Sequence, residues 1–274
     1  MEKERFDAIV IGAGFAGAVT ARELAERAGK NVLVIERRPH VGGNAYDCLD
    51  GAGVLIHQYG PHIFHTNDRR VFEYLSRFTQ WRDYEHRVLA RVNGGYMPVP
   101  FNLTSLEYMF GETEGARLGQ KLIDTYGAET KVPILKLRET EDEDLKRIAD
   151  CVYENVFVHY TMKQWGMKPE EIDPATTGRV PVFISRDDRY FQDAYQGIPA
   201  EGYTRLFERL LDAPGISLRL GTEAADVLDL REGTVYFEGR PFEGDLVFTG
   251  TNHGHEYILN ESQSKHLYLD YAAL

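Results

Sequence analysis

Phe6-Asp7-Ala8-Ile9-Val10-Ile11-Gly12-Ala13-Gly14-Phe15-Ala16-Gly17 is the stretch on which the fold turns. Its first seven residues form an almost unbroken apolar run, as in a strand covered on both faces. The glycine-rich turn then opens a helix with Ala18, Val19, Ala21, Leu24 and Ala25 at near-helical spacing, and Gly29 marks its stop. Asn31-Val32-Leu33-Val34-Ile35 reads as a second buried strand, closed by Glu36. Residues 6–36 therefore form one βαβ unit, with parallel strands and a right-handed crossover. A GxGxxG pattern alone is weak. Between a buried strand and a helix, with an acid ending the next strand, it points to a dinucleotide. Gly12 makes the tight turn, Gly14 lets backbone approach a pyrophosphate, and Gly17 lets the helix pack close. Phe15 opens the helix in the same cradle, and Glu36 is placed to accept from ribose hydroxyls.

Working outward, residues 37–68 read as a loop rich in Gly and His, with a short strand or two around Val54-Leu55-Ile56. Val71 to Phe78 is helical in pattern. Arg87–Val92 and Tyr96–Pro100 flank an Asn93-Gly94-Gly95 turn and read as a hairpin. Residues 104–165 are mostly helical, and the acidic run 139–144 reads as a solvated helix start. Phe183 to Tyr195 reads as strand and loop with a turn at Asp187-Asp188. Tyr203 to Leu211 is an amphipathic helix, and short strands are expected over 216–220, 234–237 and 246–248. The fold class expected is α/β: a Rossmann-like FAD-binding core with an inserted helical module and a small antiparallel sheet. The expected boundaries are 1–84 plus 203–252 for the core and 104–165 for the helical module. An antiparallel-sheet substrate region takes 85–103 plus 166–202, and 253–274 is an atypical tail.

Composition excludes other classes. Of 274 residues, 43% are hydrophobic and 27% charged, so a disordered or collagenous chain is ruled out. No apolar run approaches the length of a membrane helix. The net charge of -12 argues against nucleic acid and anionic membrane as partners. Two cysteines, Cys48 and Cys151, fit a reducing cytoplasm rather than a disulfide scaffold. Met1 is followed by Glu2-Lys3-Glu4-Arg5 with no apolar signal-peptide core, and no metal is expected.

Glu36 disfavours a 2′-phosphate, because two anions would meet. The Gly42-Gly43 doublet in Arg37-Arg38-Pro39-His40-Val41-Gly42-Gly43-Asn44 is a second glycine contact of the kind seen in flavoproteins of the glutathione-reductase type. It favours FAD, with Arg37 or Arg38 in reach of the phosphate.

The ordered motifs Gly42-Gly43-Asn44-Ala45-Tyr46, 57–66, Pro100-Phe101-Asn102, 160–166, Arg179-Val180-Pro181-Val182 and 195–203 resemble bacterial UDP-galactopyranose mutase over about residues 5 to 250. The resemblance implies an isomerase that interconverts UDP-galactopyranose and UDP-galactofuranose on reduced FAD, through a flavin N5-galactose adduct, without net redox change. It places Trp165 on the galactose and Tyr160 on or near the uracil, with Phe157 lining the same pocket. Thr161 and Tyr190 are expected to hydrogen-bond the diphosphate and Arg179 to pair with its charge. His62 is expected by the flavin and His86 near the nucleotide. Arg179 and His62 are the catalytic candidates. Gly12, Gly14, Phe15, Gly17, Glu36, Arg37, Gly43, Asn44 and His62 are the cofactor-binding ones.

The partner expected is UDP-galactose, and a homodimer is an open alternative. Past Phe248-Thr249-Gly250 the motifs stop and the tail reads as polar and unpatterned. The resemblance therefore implies a truncated or divergent end and impaired turnover. Two alternatives stay open: an FAD-dependent oxidoreductase of the amine-oxidase type, and a non-catalytic remnant.

Overall fold

The computed structural model describes residues 5–158, 181–231, 233–248 and 267–269. The chain divides into two compact units, Met1–Tyr84 with Ala194–Leu274, and Glu85–Asp193. In the first unit, β1 (Ala8–Ile11), α1 (Phe15–Ala28) and β2 (Val32–Ile35) form the expected βαβ, with Ala8 opposite Val32 in parallel register. Alternate side chains of a strand point to opposite faces. Ala8, Val10, Val32 and Val34 accordingly pack with Ala18 and Ala21 of α1, while Ile9, Leu33 and Ile35 belong to a separate core. Both faces are covered, which is why the run is apolar throughout.

A hairpin of β3 (Asp47–Leu49) and β4 (Leu55–His57) follows, then β5 (Phe64–Thr66), α2 (Arg69–Leu75) and β6 (Trp81–Asp83). The helix starts ahead of Val71 because Asp68 caps it, accepting from the Arg70 N–H.

In the second unit, β7 (Val88–Val92) and β8 (Gly95–Val99) form the expected hairpin. Asn93 and Gly94 both take positive φ, 50° and 83°, as a two-residue primed turn requires. Then come α3 (Leu103–Phe110), α4 (Glu112–Tyr126), β9 (Lys131–Pro133), α5 (Ile134–Arg138), α6 (Glu143–Val152) and a π-helical turn over Tyr153–Phe157. The acidic run starts a helix as expected: Asp142 caps α6, accepting from Asp144 and Leu145 N–H. The mostly helical reading of 104–165 did not include β9, whose partner is the distant β10 (Pro181–Phe183). Such non-local pairing leaves no local period. Met97 and Phe101 share one core with Leu106, Leu118 and Ile148, so hairpin and helices are a single unit rather than two regions.

The chain returns to the first unit with β11 (Tyr195–Pro199), which lies between β5 and β6 in an antiparallel sheet. After α7 (Tyr203–Leu211) and β12 (Ile216–Arg219) come α8 (Ala224–Val227) and an antiparallel trio, β13 (Leu228–Arg231), β14 (Thr234–Phe237) and β15 (Arg240–Pro241). The strands β16 (Asp245–Phe248) and β17 (Leu267–Leu269) complete a parallel sheet ordered β12-β2-β1-β16-β17. The tail was expected to be unpatterned, yet it supplies β17. Three residues are too few for a period to show.

Candidate dinucleotide and substrate site

The sequence puts three groups at the carboxyl end of β1 and β2. Gly12 turns the chain at φ 104°, a conformation that favours glycine, and its N–H donates to Ile35 O at 2.8 Å. Gly14 is the residue before α1, so the free N–H groups of the helix start beside it. Glu36 is buried, 7% exposed. Its Oε2 accepts from Ala13 N–H and its Oε1 from Arg38 N–H, both at 2.9 Å. Each oxygen keeps a further lone pair for a hydroxyl. Gly17 is buried in α1, and the half-buried Phe15 ring packs on Phe207 at 4.5 Å and edge-on to Tyr203 at 6.0 Å.

The second glycine turn lies against the first. Gly42 N–H donates to Ala13 O at 2.8 Å, and Gly42 and Gly43 hold positive φ of 93° and 56°. A Cβ on Gly43 would stand 3.2 Å from the Gly14 Cα. Gly14 is different. Its φ of -79° and ψ of -172° are open to any residue, and among the described residues a Cβ there would meet only the Gly43 Cα, at an ordinary 3.8 Å. The protein itself therefore does not require glycine at 14. A dinucleotide pyrophosphate lying over the helix start would require it.

Asn44 is exposed, and its Oδ1 accepts from Arg38 Nη2 at 2.9 Å. Arg37 is exposed; of the two arginines, Arg38 is the one built into the turn. His62 is partly buried: its Nδ1 lies 2.9 Å from Gly60 O, and its N–H donates to His57 Nδ1 at 2.9 Å. Partial burial first, and then the Cys48 thiol, hold the Tyr46 phenol above its ordinary range.

Sequence reasoning missed Asp47. It is 2% exposed, and its carboxylate accepts from Tyr203 N–H at 2.6 Å and Thr204 N–H at 2.8 Å, capping α7 from far along the chain. A signal was present: α7 begins after Gly202, a residue with no side-chain acceptor of its own.

In the second unit, His86 and Tyr190 come together. Tyr190 N–H donates to His86 O at 2.7 Å and their rings meet edge-on at 5.8 Å, with Phe191 stacked on His86 at 6.3 Å. In the same segment, Gln192 Oε1 is buried without a hydrogen-bond partner among the described residues, while its Nε2 donates to Arg189 O. Phe157 was expected to line a pocket. It is 0% exposed and stacked on Tyr153 at 5.3 Å, a core ring in this structure. The packing of α6 claims it. Tyr160, Thr161, Trp165 and Arg179 lie outside the described residues. Among the described residues, no group of three or more His, Cys, Asp or Glu is placed to hold a metal ion, and no helix is long and apolar enough to cross a membrane.

A profile of the family described as UDP-galactopyranose mutase matches residues 155–273, and one of an NAD(P)-binding Rossmann-like domain matches residues 10–78. The chain is 40% identical over 216 residues to a probable UDP-galactopyranose mutase of Klebsiella pneumoniae, covering 78% of this chain and 55% of that one. Over most of its length it is similar to the UDP-galactopyranose mutase family. The mutase of Mycoplasma pneumoniae is 33% identical over 249 residues, 90% of this chain and 62% of its own. A dTDP-fucopyranose mutase of Escherichia coli is 37% identical over 238 residues, 84% of this chain and 62% of its own. The chain thus spans 55% to 62% of the length of these mutases. The mutase profile reaches into the tail, beyond the last of the ordered motifs. In fold, the chain is similar to a reduced UDP-galactopyranose mutase, with TM-score 0.58, 18% identity, and coverage of 89% of this chain and 55% of that one. A putrescine oxidase is similar at TM-score 0.53 and 16% identity, over 89% and 58%. Both likenesses support the Rossmann-like α/β fold.

Proposed function

We propose that this protein interconverts the pyranose and furanose forms of a nucleotide-linked sugar, UDP-galactose first, with a bound FAD. The observation that carries the reading is a glycine without an internal reason. Gly14 sits at a helix start in unstrained backbone with room for a methyl, in a chain 40% identical to a probable UDP-galactopyranose mutase. The residues present fit a flavin dinucleotide. Gly12 and Gly14 bring backbone to its pyrophosphate, the α1 N–H groups bind the charge, and Glu36 receives a ribose. Gly43 and Asn44 close the turn over it, with Phe15, Gly17 and Arg37 around it and His62 beside the ring system.

When bound and reduced, the flavin supplies the nucleophile for reaction at the anomeric carbon. The protein binds, orients and shields. Arg179 pairs with the diphosphate as a planar guanidinium, and Thr161 and the Tyr190 hydroxyl donate to it. Tyr160 stacks on the base and Trp165 packs on the sugar, excluding water. His86 holds the nucleotide end. Gln192 Oε1 is an acceptor left over for a substrate donor.

The E. coli relative named for dTDP-fucopyranose favours a second substrate of the same class. The oxidase reading is weaker: a pseudooxynicotine dehydrogenase aligns over 22% of this chain and a 6-hydroxynicotine oxidase over 35%. The test offers UDP-galactopyranose and dTDP-fucopyranose separately to dithionite-reduced protein and resolves the products by chromatography. Furanose from at least one supports the reading. Amine or alcohol oxidation without furanose overturns it.

A further inference from the structure

The glycine turn and the loop that carries His62 are joined by one side-chain assembly. His40 is its centre. Its ring stacks on Tyr46, centroids 3.7 Å apart and planes 16° from parallel. Its Nδ1 lies 2.9 Å from Val41 O, and its Nε2 lies 2.9 Å from the Tyr59 hydroxyl. A carbonyl only accepts, so Nδ1 carries the proton of the neutral ring and Nε2 accepts from Tyr59 O–H.

The Tyr59 ring in turn carries the Arg38 guanidinium, 4.4 Å from its centroid. Arg38 reaches on to Asn44 Oδ1 at 2.9 Å and, through its backbone N–H, to Glu36 Oε1. On the other side, Tyr59 precedes Gly60, whose carbonyl holds His62 Nδ1. The neighbouring Gln58 N–H donates to Tyr46 O at 3.1 Å. Both segments need such a brace. Gly42, Gly43 and Gly60 all sit at positive φ, and glycine turns have the most conformational freedom to lose. Between β2 and β3 only a single 3₁₀ turn, Gly43–Ala45, interrupts the irregular backbone.

We infer that Tyr59 is a positioning residue for the flavin. Its hydroxyl bond to His40 and its ring face under Arg38 hold the Gly42–Asn44 turn and the His62 loop at one spacing. The inference rests on the reading that this cradle binds a flavin dinucleotide. Tyr59 is 44% exposed, so the fold does not depend on burying it.

Three variants test it: Tyr59→Phe, which removes only the hydroxyl; His40→Asn, which keeps a donor near the Nδ1 place and removes Nε2; and the two together. The readouts are the FAD dissociation constant and the visible band of the bound flavin, with the thermal midpoint as control. Each single variant should weaken FAD about three- to tenfold, the scale of one neutral hydrogen bond, and shift the flavin band. The double variant should be no weaker than the worse single one, because both remove the same bond. Unchanged affinity and spectrum in Tyr59→Phe, or losses that multiply in the double variant, overturn the positioning role while leaving the functional reading intact. A wild-type protein that takes up no FAD overturns both.

Discussion

Replacing Gly14 by alanine separates a ligand's demand from the protein's. The backbone there, at φ -79° and ψ -172°, accepts an L residue, and the new methyl would rest 3.8 Å from the Gly43 Cα. Alanine is a poorer residue before a helix than glycine, but it also narrows the unfolded ensemble. These effects oppose each other and leave stability within about 1 kcal/mol of wild type. Binding has no such balance. The methyl pushes the pyrophosphate off the helix start, losing up to about 2 kcal/mol of helix-terminus stabilisation. It also weakens a charge-assisted hydrogen bond worth roughly 1.5–3 kcal/mol. A combined loss of about 2–4 kcal/mol is a 30- to 1,000-fold weaker FAD complex. The assay is FAD titration by fluorescence beside urea unfolding of the same apoprotein. Affinity within threefold of wild type would refute a pyrophosphate at Gly14. So would a loss of affinity matched by a stability loss well beyond 1 kcal/mol, since the glycine would then serve the fold.

Asp47→Ala strips the acceptor from two N–H groups at the start of α7, and urea unfolding should show a loss of roughly 2–3 kcal/mol. Phe157→Ala empties a fully buried core site and should cost about 3–5 kcal/mol in the same measurement. Arg179→Ala should weaken UDP binding by roughly 1.5–3 kcal/mol in titration calorimetry, and unchanged affinity would remove it from the site. Arg77 first, then Arg22, hold the Glu26 carboxyl at about 2 against an ordinary 4.5, and Arg117 does the same for Glu114. A carboxylate depressed on folding stabilises fully above pH 4.5 and progressively less as pH falls toward 2. The urea midpoint should therefore drop between pH 5 and pH 3, and the drop should shrink in the Glu26→Gln, Glu114→Gln double variant. High salt should also shrink it, since both pairs are exposed.

The local parts of the fold were legible because their signals are local. The run at 8–11, the glycine turn and the second run at 32–35 carry their period and punctuation within the segment, and the parallel pairing followed. Leu206, Phe207, Leu210 and Leu211 announced α7 in the same way. What escaped depends on distant partners. The strand Lys131–Pro133 exists because Pro181–Phe183 lies beside it, and Leu267–Leu269 because of β16. The cofactor side of the site was legible as glycines and an acid at fixed spacing. Its bracing was not, since Arg38, His40 and Tyr59 meet through a loop whose path no period encodes. Phe157 shows the converse: the family resemblance named the residue, but its complete burial follows from three-dimensional packing.

Turnover of UDP-galactopyranose with the flavin oxidised and then reduced is the most direct test. The protein is saturated with FAD, and the furanose product is followed by chromatography while consumption of reductant is recorded. Furanose is expected only after reduction, in many turnovers per flavin and with no further reductant consumed. Furanose at equal rate from oxidised flavin, or reductant consumed in step with product, would contradict this.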